Sequence, residues 1–269
     1  MKSQTENQIC AHPLDRGKAN CRIEKQSSGN EVAWITLSHE NKMNSIGSAM
    51  IGDLLDIFAE LKTRDALRVA VINGSGDRAF VGGAFLPELE GLDPETGRAF
   101  ITRLHSACQA VRDCPVPVIA SLQGYCLGAG TELAASCDFR LADHSLVVGM
   151  PEVRVGLPSV IEAALLPMLI GWGKTREMLL TGANYSAEAA ASMGFVDTLA
   201  ESGSLDDLVE ERVSQIVSAG PLAVRAQKQL TNAWESLSPE EGIRLGIDYL
   251  AKAYETDEPQ RMMMPLLKK

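Results

Sequence analysis

The sequence predicts an α/β fold, and two observations carry that prediction. Short runs of branched apolar residues, typical of buried strands, alternate with helical patterns over the first two thirds of the chain. From about Lys174 onward the strand patterns disappear and helical patterns dominate, which predicts a helical module for the final third. With 269 residues, 45% of them hydrophobic and 22% charged, the chain has enough apolar material for one globular domain with a smaller appendage.

The predicted elements follow a polar N-terminal segment. Residues 1–20 mix polar, charged, Pro and Gly residues without a period, which predicts a disordered leader or an expression remnant. Apolar positions recurring from Met50 to Leu61 predict a helix. Strands are predicted at five apolar runs, namely Glu31–Leu37, Leu67–Ile72, Val116–Leu122, Asp138–Ala142 and Leu146–Gly149. In the final third, glycines stand where helices are predicted to end and prolines where new ones begin.

Charge and composition exclude several classes of function. The formal net charge of -10 and a pI near 5.0 repel nucleic acids and anionic membrane surfaces, so an anionic ligand requires a local basic patch. No segment approaches the roughly 20 apolar residues of a membrane span, and the N-terminus has no apolar signal region. The six cysteines form no CxxC pair, and the four histidines match no metal spacing. We therefore expect a soluble cytoplasmic protein with reduced thiols and no metal.

Two glycine-rich loops are the candidate ligand-binding motifs. The first is RAFVGGAFLPEL at 78–89, and the second is QGYCLGAGTEL at 123–133, directly before a predicted helix. Glycine lets the backbone approach a ligand closely, and a helix start presents unpaired NH groups. Neither loop matches the GxGxxG or GxxxxGK[ST] phosphate-binding patterns. Each loop alone fits a packing turn equally well.

Taken together, the motifs resemble the crotonase superfamily, the enoyl-CoA hydratases and isomerases. The resemblance rests on an ordered series: the first loop, then PVPVIASLQGYCLGAGTEL, then a PE followed by VRVGL. It continues in LSHENKMNSIG at 37–47, in the segment 180–196 and in GPLA at 220–223, and it spans about Ile23 to Lys269. The resemblance implies a spiral of ββα units over residues 21–200, with an acyl-CoA site. It also implies a helical oligomerisation region over residues 201–269, and a homotrimer or a dimer of trimers.

The resemblance also assigns catalytic residues. It places the thioester oxygen between the backbone NH groups of Ala84 and Ala129, where they would stabilise an enolate. Glu132 would help to activate water, and Glu152 would exchange the proton at the α-carbon. Without the resemblance, Glu132 also fits a glutamate that complements a helix dipole, and Glu152 fits a surface turn. Coenzyme A would arrive as part of the substrate, and no further cofactor is expected.

Residues for the nucleotide end of coenzyme A follow from the same resemblance. Arg78, with Phe80 close behind it, corresponds to the region beside the adenine and the phosphates. Gly82 corresponds to a position whose backbone meets adenine, and Lys42 and Met43 to residues along the nucleotide end. An exposed Arg or Lys also fits a merely solvating role.

Departures from the family pattern bear on which reaction is catalysed. Phe85 replaces a frequent aspartate and predicts more apolar surface near the acyl end. Hydratases often read GLxPGxGG after the second glutamate, whereas this chain reads GLPSVIEAALLP, which alters the loop from Pro158 to Ala163. The paired glutamates favour a 2-enoyl-CoA hydratase. The alternatives are an isomerase or another enolate-using enzyme, such as an acyl-CoA lyase or a C–C hydrolase, and a non-catalytic CoA-binding scaffold.

Overall fold

A computed structural model describes residues 11–201 and 204–267 of the chain. The strands are β1 Lys18–Lys25, β2 Glu31–Ser38, β3 Leu67–Gly74, β4 Ala79–Val81, β5 Val118–Leu122, β6 Tyr125–Leu127, β7 Phe139–Ala142, β8 Val147–Gly149, β9 Asn184–Ser186 and β10 Thr198–Leu199. The helices are α1 Ser48–Leu61, α2 Leu86–Glu90, α3 Pro94–Arg112, α4 Ala129–Ala135, α5 Leu166–Thr181, α6 Ala187–Ser192, α7 Leu205–Ser218, α8 Pro221–Trp234, α9 Pro239–Ala253 and α10 Glu258–Leu267. Short 3-10 helices cover Glu152–Val155 and Ile161–Leu165.

The strands form two sheets, and successive turns of the chain contribute strands to both of them. The larger sheet has the order β1-β2-β3-β5-β7-β10, and the smaller has the order β4-β6-β8-β9. Within the larger sheet only the β1–β2 pair is antiparallel, and within the smaller only β8–β9. The pairs β3/β4, β5/β6 and β7/β8 each place one strand in each sheet, and a helix follows the first two pairs. This is the predicted spiral of ββα units.

The core explains why these segments fold as they do. Leu67 to Ile72 of β3 is buried throughout, as expected for a central parallel strand covered on both faces. Helix α1 buries Met50, Leu54 and Phe58, spaced four residues apart, and packs against α3. Each such fully buried side chain contributes roughly 1.5 to 3 kcal/mol. No helix within the described residues is long and apolar enough to cross a membrane.

The predicted N-terminal leader ends earlier than residue 20. Strand β1 begins at Lys18, so the prediction of disorder is wrong for residues 18–20; residues 1–10 lie outside the described part. Asp15 is only 6% exposed, and its carboxylate accepts hydrogen bonds from the backbone NH groups of Gly17 and Ala49. The segment looked unstructured because β1 is an edge strand with one exposed face, so its sequence alternates polar residues.

The final third also differs from its predicted description in two ways. Strands β9 and β10 lie after Lys174, where no strand was predicted; at three and two residues they are too short to leave a pattern. Helix α7 packs Val209, Val213 and Ile216 against the larger sheet. That helix therefore belongs to the core, although it lies inside the region predicted for oligomerisation. Helices α8, α9 and α10 follow it.

Candidate active site

The first candidate oxyanion donor is the NH group of Ala84, just after β4. The flanking backbone is fixed by a bridge to Ile46, whose NH donates to the carbonyl of Gly83 at 2.9 Å. The carbonyl of Ile46 accepts from the NH of Phe85 at 2.8 Å. These bonds engage the residues on both sides of Ala84, and within the described residues its own NH has no acceptor. The Ala84 NH is therefore free to meet a ligand.

The second candidate donor is the backbone NH group of Ala129, the first residue of α4. Gly128 precedes it with φ +52°, donates to the carbonyl of Gly149 at 2.9 Å and accepts from the NH of Glu132 at 3.0 Å. A helix leaves its first NH groups without intrahelical partners, and that of Ala129 has none in the described residues. A methyl group built on Gly128 would lie 3.9 Å from Gly83 Cα, so the two glycine-rich loops are adjacent.

Glu132 lies in the interior beside these loops. Its side chain belongs to α4, is 4% exposed and accepts a 3.3 Å hydrogen bond from the Ala163 NH. Burial raises the pKa of Glu132 to about 8, with a further rise from the negative charge of Glu152 and a smaller one from Glu162. The hydrogen bond from Ala163 opposes this rise. At neutral pH Glu132 therefore holds a proton most of the time.

Glu152 is held from two sides at the start of its 3-10 helix. Its Oε2 accepts a 2.7 Å hydrogen bond from the Ser159 hydroxyl. Its Oε1 faces Gly128 so closely that any side chain on Gly128 would collide with the carboxylate. The glycine before Ala129 thus serves two purposes, because it adopts a left-handed conformation and leaves room for Glu152.

The loop that departs from the family pattern holds both glutamates. Ser159 bonds Glu152, and Ala163 bonds Glu132, so each end of the altered segment carries one of the two contacts. The sequence alone identified this segment as an alteration that weakened the case for hydration. In the structure this segment positions both glutamates, with a hydroxyl and a backbone NH as donors. Neither residue was predicted as part of the site.

The acyl end is not lined by Phe85, and that prediction is wrong. Phe85 is 2% exposed, and its ring packs against His39 at 4.8 Å between centroids and against His12 at 6.0 Å. The ring points into the protein because hydrogen bonds from Ile46 to Gly83 and from Phe85 to Ile46 fix the backbone on both sides of Ala84. Leu86, Val155 and Leu157 are exposed instead. With Pro87, Leu89 and Glu90 they line a cavity of about 390 Å³, built from the segments that come directly after Ala84 and Glu152 in the sequence.

A second cavity, of about 720 Å³, contains part of the predicted nucleotide site. Met43 and Arg78 line it. Arg16 and Lys18 line it as well, although both residues lie in the segment predicted to be a disordered leader. The sequence contained one indication of this role, namely two cationic residues close to the first strand. The prediction that this segment is disordered concealed it. Three cationic side chains thus line one cavity in a protein of net charge -10, together with the carboxylates of Glu40 and Asp77, so cations outnumber anions in this lining.

The other predicted nucleotide residues are placed differently. Phe80 is fully buried in the core, so the prediction that it contacts coenzyme A is corrected. Gly82 donates its NH to the carbonyl of Met43 at 2.7 Å, and the two residues are in contact. Lys42 is exposed in the same turn. Within the described residues no group of three or more His, Cys, Asp or Glu side chains is arranged to hold a metal ion.

Known proteins resemble this chain over nearly its whole length. Residues 27–266 match the family model described as enoyl-CoA hydratase/isomerase. The chain is 34% identical to an (E)-benzylidenesuccinyl-CoA hydratase from Thauera aromatica, covering 80% of this chain and 84% of that relative. It is 26% identical to a short-chain-enoyl-CoA hydratase from Clostridium acetobutylicum, covering 93% and 95%. A solved enoyl-CoA hydratase from Bacillus anthracis superimposes with a TM-score of 0.87 at 28% identity, covering 93% of this chain and 96% of that one.

Proposed function

The chain belongs to the enoyl-CoA hydratase/isomerase family, and from that premise we propose that it adds water to a 2-enoyl-CoA thioester to give a 3-hydroxyacyl-CoA. One observation carries the proposal. Two glutamates, Glu132 and Glu152, are held by one loop beside two unpaired backbone NH groups. An acid/base pair next to an oxyanion site is what this addition requires.

The NH groups of Ala84 and Ala129 stabilise the charge that develops on the thioester oxygen. The oxygen of water adds to the β-carbon, and the electrons of the double bond move toward the thioester to form an enolate. A donor that meets the oxygen in this state commonly contributes about 3 to 4 kcal/mol. The donors are backbone groups fixed by Gly83 and Gly128, so they need no rearrangement when the charge appears.

The glutamate pair supplies one base and one acid with a single proton. One carboxylate removes a proton from the attacking water, and the other, as carboxylic acid, delivers a proton to the α-carbon. The family resemblance assigns the first role to Glu132 and the second to Glu152. The raised pKa of Glu132 favours the reverse in the resting enzyme, with the proton on Glu132 and the charge on Glu152. Each turnover takes one proton from water and gives one to the α-carbon, so it leaves the proton of the pair on the other glutamate, and proton exchange with solvent restores the starting state.

The cavities support a substrate with an apolar acyl group and an intact nucleotide. Leu86, Val155 and Leu157 offer an apolar surface to the acyl end. At the other end Arg16, Lys18 and Arg78 offer positive charge to the phosphates of coenzyme A. Since coenzyme A is part of the substrate, the proposed reaction uses no separate cofactor. An apolar cavity accommodates an aliphatic or an aromatic acyl group.

The C-terminal helices are the proposed site of self-association. Helices α9 and α10 expose large apolar side chains, namely Ile243, Ile247, Leu250, Leu266 and Leu267. Such a surface is typical of a protein interface. We propose a homotrimer or a dimer of trimers, and sedimentation would distinguish these from a monomer. A cytoplasmic location is proposed as well, supported by the five described cysteines, which form no disulfide.

Loss of enoyl-thioester absorbance with crotonyl-CoA tests the proposed reaction. The wild type should remove the absorbance and form 3-hydroxybutyryl-CoA, and Glu152→Gln should slow this at least 100-fold. Glu210→Gln, at an exposed position of α7, is the matched control and should retain wild-type rates. A wild type that binds the thioester without converting it would favour a CoA-binding scaffold. Formation of 3-hydroxybutyryl-CoA that survives in Glu152→Gln would refute the catalytic role of Glu152, and loss of absorbance without that product would favour an isomerase.

A further inference from the structure

Next to the two proposed catalytic glutamates lies a third carboxyl group, that of Glu162. It is 5% exposed and opens the second 3-10 helix, Ile161–Leu165. Ile161 before it has φ +39°, a left-handed conformation that costs a β-branched residue on the order of 1 to 3 kcal/mol. The fold therefore accepts strain at the residue that aims Glu162 inward.

Glu162 is paired with a histidine that reaches solvent. The Nδ1 atom of His105 on α3 lies 2.7 Å from Glu162 Oε1, and the His105 side chain is 48% exposed. The other oxygen, Oε2, is buried and has no hydrogen-bond partner among the described residues. A half-satisfied buried carboxyl group is costly, which indicates a purpose other than stability.

Two contacts connect this pair to Glu132. The backbone NH of Ala163, next to Glu162, donates the 3.3 Å hydrogen bond to Glu132 Oε1. The negative charge of Glu162 also acts on Glu132 and raises the pKa of that carboxyl group. The 3-10 helix packs against α4 and α3, so Glu162 is fixed relative to both Glu132 and His105.

The other charged and titratable groups around Glu162 are few. Helix α4 contributes Glu132, and α3 contributes His105 and the buried thiol of Cys108, whose pKa is raised by burial and by the charges of Glu162 and Glu132. On α5 the charged side chains pair elsewhere: Lys174 with Glu177, and Arg176 with the ring of Trp172. The negative charge of Glu152 also raises the pKa of Glu132.

We propose that Glu162 and His105 form a positioning pair for Glu132: the strained turn places the Glu162 charge beside Glu132, where that charge favours the protonated carboxyl group, and the half-exposed His105 adjusts how much of it Glu132 experiences. The inference rests on the proposed acid/base role of Glu132. Neither residue touches the substrate, and both act through Glu132. The sequence motif SVIEAALLP carries Glu162 in place of the usual glycine-rich turn, and His105 comes from α3.

The pH dependence of kcat/KM for crotonyl-CoA tests the pair. In Glu162→Gln, the limb of the profile that reports Glu132 should move to lower pH, because a neighbouring negative charge is removed. His105→Gln should add nothing in the Glu162→Gln background if it acts only through Glu162. The matched control is Glu188→Gln, which breaks the exposed His144–Glu188 pair and should leave the limb in place.

A second readout is independent of catalysis. The stability advantage of Glu132→Gln over its parent grows with pH until Glu132 in the parent has lost its proton. The pH at which this growth stops should be lower when the parent is Glu162→Gln than when it is the wild type. An unmoved limb with only a lower kcat would overturn the proposal, and so would additive effects of the two substitutions. If the wild type hydrates no substrate and the pH at which the stability gain stops still moves, the positioning pair is supported and the proposed function is refuted.

Discussion

Replacing Glu132 by glutamine changes how the stability of the protein depends on pH. Glutamine has nearly the shape of a protonated glutamate, and its carbonyl can accept the hydrogen bond from the Ala163 NH. It cannot ionise. The comparison between Glu132→Gln and wild type therefore isolates the free energy needed to remove one buried proton.

The direction and size of the effect follow from the pKa of Glu132. In the unfolded chain the group has its ordinary value near 4.5, and in the folded protein burial and the Glu152 charge raise its pKa to about 8. The folded state therefore binds a proton that the unfolded state has released. The contribution is fully present below pH 4.5 and is lost as pH rises toward 8, at about 1.4 kcal/mol per pH unit. Between pH 5 and pH 7 the wild type should lose roughly 2 to 3 kcal/mol relative to the variant.

Urea denaturation at one protein concentration measures this difference at pH 5, 6, 7 and 8. A fixed concentration is needed because association would otherwise shift apparent stability. The curves for the two proteins should diverge steadily with pH, with Glu132→Gln the more stable at pH 7 and above. Glu210→Gln, exposed on α7, should run parallel to the wild type. Parallel curves for Glu132→Gln would refute the conclusion that Glu132 keeps its proton.

Three further predictions follow from the site. Ser159→Ala removes the 2.7 Å hydrogen bond to Glu152 and should lower kcat about tenfold with little change in KM, measured with crotonyl-CoA against Ser236→Ala. Gly128→Ala should abolish activity and destabilise the protein by about 1 to 3 kcal/mol in thermal unfolding, because φ is +52° and the methyl group collides with the Glu152 carboxylate; wild-type activity would contradict the geometry. Arg16→Gln and Arg78→Gln should raise KM for crotonyl-CoA severalfold but leave KM for crotonyl-pantetheine unchanged, since that thioester lacks the nucleotide; equal effects on both would place the cations elsewhere.

The sequence predicts the architecture well where burial leaves a pattern. The continuous apolar runs of β3 and β5 identify central strands, and the spacing from Met50 to Leu61 identifies α1. The same reasoning fails at β1, whose edge position makes it look like polar coil. It also fails at β9 and β10, because two or three residues cannot display a period.

The candidate site divides in a similar way. Motif resemblance predicts roles for Glu132, Glu152, Ala84 and Ala129, because those assignments depend on ordered local sequence. Contacts across the chain are invisible to it. The approach of His105 to Glu162 joins residues 57 positions apart, and the cavity that gathers Arg16 with Arg78 depends on how β1 lies in the sheet. Phe85 shows the same limit. Its apolar side chain beside Ala84 suggests a surface for the ligand, whereas the backbone directs its ring into the core.

Hydration in ¹⁸O-labelled water tests the central claim most directly. The purified protein is incubated with crotonyl-CoA, and the mass and position of the label in the product are read by mass spectrometry. The account predicts 3-hydroxybutyryl-CoA with one ¹⁸O at the third carbon, formed by the wild type and at least 100-fold more slowly by Glu152→Gln. An unlabelled isomer of the substrate, or free coenzyme A with label in the carboxylate, would contradict it.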